Sequence, residues 1–264
     1  MPSVQLTRLR QQAVELAEFF PQPEAFARRL ELLLESYSVK PSRKGEVKGA
    51  QQAVLPSYRA PAQVLKQILL ECRALAADAP ELSLAVCDEL WQRRMLEPRQ
   101  LAALLLGHTP TENTAEISNR IRAWNEKNRE PALLDELAVE ATQWLREAQP
   151  YALIAFFSAC LDADTWRQHA LGLLALEALL GETDFPDLPA VYKALEQRTE
   201  PIEKRLRAYW LDVYVAMLDK APQETLYHLQ QRLAASEDQG LHWVARQLLE
   251  HLGAEDQAAL RAAL

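Results

Sequence analysis

The chain has 264 residues, 49% of them apolar, with 29 Lys plus Arg against 37 Asp plus Glu and a formal charge of −8. That is enough apolar content for a globular chain with a sizeable core, whereas only 7 glycines, set against roughly 7% in average proteins, argue against turn-rich β-sandwiches and dinucleotide-binding α/β folds. The longest uncharged stretch, Ala148 to Leu161, is shorter than the ~18 residues of a membrane span, and Arg8, Arg10, Glu15 and Glu18 interrupt any signal-peptide core, so a cytoplasmic protein with no membrane partner is expected.

In chain order, apolar residues recur at helical spacing and proline punctuates them. Helices are expected over 4–19 and 22–37. The long irregular connection Ser38 to Ala60 follows, carrying Lys40, Arg43, Lys44, Lys48 and Arg59 against Glu46 alone. A connection of this length in a helical array is usually functional or mobile. Helices then follow over 61–78 (Val64, Leu65, Ile68, Leu69, Cys72, Leu75), 80–94, 97–107, 113–127 and 131–147 (Leu133, Leu134, Leu137, Ala138, Ala141). The remaining ones are expected over 149–161, 164–180, 186–197, 200–219, 222–234, 237–252 and 254–263. Pro61, Pro80, Pro98, Pro131, Pro150, Pro201 and Pro222 stand at helix starts, where a missing N–H costs nothing.

The intervals 61 to 80, 80 to 98, 131 to 150 and 201 to 222 give about 18 to 21 residues per helix with its turn, so a pair takes roughly 40. That stride predicts an all-α fold: one α-solenoid domain over 1–264, built of HEAT-like antiparallel helix pairs in a right-handed superhelix with a concave groove. Charge is uneven along it. Residues 1–72 carry 10 basic and 7 acidic side chains, leaving 19 and 30 for the rest.

Cys72, Cys87 and Cys160 are odd in number, far apart and set among apolar neighbours, which reads as reduced core cysteine. No His-Glu-x-x-His, Gly-x-Ser-x-Gly or His pair at ligand spacing occurs, and Lys44, Gly45, Lys48, Gly49 lacks the Gly-Lys-Ser/Thr of a P-loop. Neither a metal nor another cofactor is expected.

Three segments carry a family likeness: Ser57-Tyr58-Arg59-Ala60-Pro61 through Lys66; Leu90-Trp91 followed by Glu97, Arg99, Ala102 and Leu104; and Trp166-Arg167-Gln168-His169-Ala170. Together they resemble the DNA alkylation-repair glycosylases built from HEAT-like repeats. The resemblance implies duplex DNA as partner and excision of cationic N3- or N7-alkylpurines, with a carboxylate stabilising the developing oxocarbenium sugar, aromatic rings packing on the lesion backbone and arginine holding phosphate. It implies Asp135 as the catalytic carboxylate, but the aromatic residues the family has before it are replaced by Pro131-Ala132-Leu133-Leu134. It also sets His169 where the family has Arg, and Trp210 with Arg207 three residues earlier as a later concave ring and cation. Asp135, His169 and Trp210 are therefore expected to face one cleft.

Each residue also has a plainer role. Asp135 suits the first turn of a helix through the helix dipole, His169 suits a core edge, and Trp91 and Trp166 suit packing between repeats. Two functions follow: a DNA-binding protein of the alkylation-repair type with reduced or no catalysis, or a non-catalytic scaffold holding a protein or peptide in its groove.

Overall fold

The computed structural model describes residues 5–38, 55–182, 185, 187–197 and 201–264. Among these, every regular element is helical, and no helix is long and apolar enough to cross a membrane. The chain forms two compact units, Met1–Trp144 and Leu145–Leu264.

The first unit contains α1 (Leu6–Ala17), α2 (Pro23–Ser36), α3 (Ala62–Asp78), α4 (Pro80–Gln92), α5 (Leu96–Leu106), α6 (Thr114–Lys127) and α7 (Ala132–Asp135), the last running into a π-helical turn over Glu136–Glu140. Helix α8 (Gln143–Ala148) carries the chain into the second unit. There follow α9 (Pro150–Leu161), α10 (Trp166–Gly181), α11 (Leu188–Glu196), α12 (Arg207–Lys220), α13 (Pro222–Ala235), α14 (Gln239–Leu248) and α15 (Ala254–Arg261). Proline sets these starts much as its spacing predicts: Pro80, Pro150 and Pro222 are the first residues of their helices and Pro61 is the N-cap of α3.

Most helices bury one stripe, while α10 is buried nearly all round, from Gln168 to Leu173 without a gap. On α3 the stripe is Val64, Leu65, Ile68, Cys72 and Ala76, which puts an apolar contact on every turn. A fully buried Ile or Leu of this kind contributes about 1.5–3 kcal/mol. Helices pack on the next in sequence and on the next but one. In the first unit α1 lies on α3, α3 on α5 and α2 on α4; in the second, α9 pairs with α10, α10 lies on α12 and α12 on α14, while α9 meets α11 and α13 meets α15. Side-chain contacts repeat the same stride. Asp88 meets Arg120, Gln100 meets Glu136, Arg146 meets Glu182, Tyr151 meets Asp187 and Tyr192 meets Thr225, each at a separation of 32 to 36 residues.

One expected helix is not continuous. The run over 131–147 splits because Ala141 N donates to Glu136 O across five residues, and Thr142 Oγ1 bonds Ala138 O at 2.5 Å. The end of α5 packs directly on this turn: a Cβ at Gly107 would lie 1.9 Å from Glu140 O. Cys72, Cys87 and Cys160 are buried free thiols as expected, and burial pushes Cys72 and Cys87 up to about 12, so neither is a ready nucleophile.

Candidate nucleic-acid interface

Of the residues singled out in the sequence, Asp135 lies in the first unit and His169, Arg207 and Trp210 in the second. Lys40, Arg43, Lys44 and Lys48 lie outside the described residues. Asp135 is exposed, the last residue of α7. Leu133 and Leu134, which precede it where an aromatic surface would be needed, are buried.

Two of the family-like segments meet in the first unit. Glu97, only 4% exposed, accepts from the Ser57 hydroxyl at 2.7 Å and from Tyr58 N at 3.1 Å. A second buried carboxylate, Glu130, accepts from Leu55 N at 3.1 Å, and Leu96 N donates to Pro56 O. The strap 55–58 is thus held by two carboxylates and a backbone bond. It delivers Arg59 to solvent with φ at 55°, a left-handed conformation uncommon outside glycine. Arg99 closes the same corner. Its Nε donates to Arg93 O at 2.9 Å while its guanidinium stands 5.1 Å from the Trp91 ring. Trp91 in turn stacks on Trp124 with 4.4 Å between centroids and 6° between planes, a core joint between α4 and α6.

His169 does in the second unit what Arg99 does in the first. Each is the fourth residue of its helix, and each bonds the backbone carbonyl six residues earlier: Arg99 to Arg93, His169 Nε2 to Ala163 O at 2.6 Å. At 4% exposure, His169 fastens the loop leading into α10. The packing beneath is correspondingly close: a Cβ at Gly172 would lie 2.7 Å from Cys160 Cβ.

Trp210 is fully buried, and Arg207 does not share its ring. The cation over Trp210 is Arg232, at 5.6 Å, which also donates to the Tyr214 hydroxyl. Arg207 stands instead 6.0 Å from Trp243 of α14. Trp166, expected in the core, is half-buried, with Arg167 at 5.1 Å and Arg205 at 5.5 Å from its ring.

These contacts join three alternate helices, α10, α12 and α14. Asp238 fixes the last step by accepting from Gly240 N at 2.7 Å and Ile202 N at 2.9 Å. The result is a ladder of half-buried indoles and guanidiniums along one edge. Guanidinium–indole contacts of this kind contribute about 0.5–1 kcal/mol when exposed and pre-orient the cation. Glu203 pairs with Arg205 on this edge at 3.0 Å. The ladder was poorly legible beforehand. Its signals are Trp-Arg at a helix start, Arg205-x-Arg207 ahead of α12, and Trp243 three residues before Arg246, each common in ordinary helices.

The chain matches no protein-family model and no curated protein. Among the described residues no group of His, Cys, Asp or Glu is placed to hold a metal ion.

Proposed function

We propose that the chain is a HEAT-like α-solenoid that binds duplex DNA, akin to the alkylation-repair glycosylases, with base excision reduced or absent. The observation that carries this reading is the arginine–tryptophan ladder along α10, α12 and α14. Such an edge suits a phosphate backbone, because guanidinium groups bond phosphate oxygens in fixed forks and indoles pack on sugar. The recurrence of contacts at 32 to 36 residues supports a repeat architecture in which such an edge is built one rung per helix pair. Weak excision follows from Asp135 standing exposed without an aromatic neighbour before it: the charge is retained while the positioning that makes it effective is lost.

The test is duplex binding by fluorescence anisotropy at two salt concentrations, with single-turnover release of 7-methylguanine from alkylated duplex. Salt-sensitive binding weakened about tenfold or more by Arg167→Gln with Arg205→Gln is expected, together with little or no base release. Absence of binding at low salt overturns the reading. Release that survives Asp135→Asn removes that carboxylate from the chemistry.

One observation favours a protein partner instead. A cleft of about 230 Å³ between α1 and α2 is lined by Leu16, Leu32 and Leu33, and Leu32 is 67% exposed. A scaffold would lose its partner, not DNA, on Leu32→Glu.

A further inference from the structure

In the second unit a cleft of about 490 Å³ opens at α14, lined by Arg207, Glu237, Gln239, His242, Trp243 and Arg246. Its arginines differ from their neighbours. Arg146 pairs with Glu182, Arg205 with Glu203, and Arg232 bonds Tyr214. Among the described residues Arg207 and Arg246 are in no ion pair or hydrogen bond, and Arg207 Nε is closed off from solvent with no acceptor. Nε itself is out of a ligand's reach, but the terminal N–H groups of both arginines are not closed off and can bond a ligand oxygen in the cleft they line.

The remaining walls narrow the chemistry. The volume falls within the roughly 300–1,000 Å³ of small-molecule sites, more than one inorganic anion fills. Trp243 is half-buried and offers an indole surface beside the two cations. Glu237 would repel a second anionic group on its side and favour a hydrogen-bond donor there. His242 Nδ1 is engaged with Asp238 O at 2.9 Å, so only Nε2 remains for a ligand. A fitting ligand has a doubly charged anionic end, a flat ring and an N–H on that ring.

We infer that this cleft binds a nucleoside 5′-phosphate: Arg207 and Arg246 hold the phosphate, the base lies against Trp243, and Glu237 accepts from an exocyclic amine of the base. Two cations match a terminal phosphate monoester better than the single charge of an internal phosphodiester. The same chemistry occurs in a free mononucleotide and at the 5′-phosphorylated end of a strand. The assignment stands on this cleft and does not require duplex binding along the ladder.

Isothermal titration calorimetry of the full chain with adenosine 5′-monophosphate, ribose 5-phosphate and inorganic phosphate tests it. Saturable 1:1 binding of the nucleotide is expected, weaker by about tenfold or more for ribose 5-phosphate, which cannot stack. Arg246 is exposed, so Arg246→Gln should keep the fold, checked by circular dichroism, while lowering nucleotide affinity roughly ten- to hundredfold. Trp243→Leu should weaken the nucleotide but not inorganic phosphate. A single strand bound more tightly with a 5′-phosphate than with a 5′-hydroxyl, and more tightly than free nucleotide, identifies a strand end as the source; free nucleotide binding at least as well as either strand identifies the mononucleotide. Nucleotide binding that is absent at millimolar concentration, unmoved by Arg246→Gln, or matched by inorganic phosphate overturns the inference. Loss of duplex binding in Arg167→Gln with Arg205→Gln, with nucleotide binding unchanged, separates this cleft from the ladder's rung at Trp166, so that its failure and the failure of the duplex reading are distinguishable.

Discussion

A single buried side chain decides more here than most surface charges. Glu97 is held by two neutral donors, the Ser57 hydroxyl and Tyr58 N, and among the described residues no cation lies at hydrogen-bond distance from it. Glu97→Ala strands both donors and should cost about 1–3 kcal/mol, seen as a fall of several degrees in Tm with roughly 2–4 °C per kcal/mol for a unit of this size. Glu97→Gln keeps one acceptor and should recover part of the loss; equal losses in the two variants would mean that the strap is not held through this residue. His228 makes a second case, with a pH dependence. It is buried against Tyr192 and Tyr214, and burial first, Arg232 second, hold its pKa below the ordinary histidine value, with Glu196 opposing. The folded ring therefore stays neutral where the unfolded one, titrating near ~6.5, begins to charge. The unfolded chain binds more protons, so this contribution to stability is whole above the unfolded value and is lost as the pH falls below it. Thermal unfolding at pH 7 and pH 5 should show a smaller drop in Tm for His228→Gln than for the wild type.

At the scale of elements, helix positions were legible because proline and a 3.6-residue apolar period act locally, and α3, α4, α9 and α13 lie close to where those signals put them. The break in 131–147 was not. Leu133, Leu134, Leu137 and Ala138 keep a helical stripe across it, and the π turn lies against Gly107, a residue about thirty positions earlier that no local period reveals. Gly107→Ala tests that contact. The added methyl would meet Glu140 backbone, which cannot step aside as a flexible side chain would, so a loss of at least about 1–3 kcal/mol is expected from chemical denaturation. The same turn carries a built-in electrostatic cost. Glu136 is raised above the usual carboxylate range by burial, with Glu140 and Asp135 adding to it and the Gln100 hydrogen bond opposing. Its charged form is thus disfavoured in the fold, and the wild type regains stability as the pH falls through the raised value. Glu136→Gln keeps the acceptor for Gln100 Nε2 and should raise Tm at pH 7, with the advantage shrinking toward acid. An unchanged Tm at neutral pH would show that the carboxylate is better solvated than its surroundings imply.

Across the whole molecule, the all-helical fold was legible but the side that each helix turns to solvent was not. Proline spacing gives about 40 residues per pair, and the observed contacts recur at 32 to 36, because both follow from the length of two helices and their turns. Which tryptophan is exposed depends on what the next pair brings over it. Arg205 arrives beside Trp166, and Arg232 seals Trp210, although both tryptophans look alike in sequence. Charge follows the same logic. Residues 145–264 hold 11 Lys plus Arg and 18 Asp plus Glu, yet Arg167, Lys204, Arg205 and Arg207 fall near the starts of α10 and α12. A body of net negative charge with one cationic edge binds polyanion weakly, with a salt slope limited by the few phosphate contacts that edge can make while the rest repels. If duplex binds there as proposed, with about 0.9 units of log–log salt slope per neutralised phosphate, these four cations set a ceiling of about −3.6 for the share of this edge. Removing Arg167 and Arg205 together should flatten the measured slope by up to about 1.8, and by less where Glu203 already neutralises Arg205. A slope unchanged by that double substitution would place the DNA contacts elsewhere on the chain, however tight the binding.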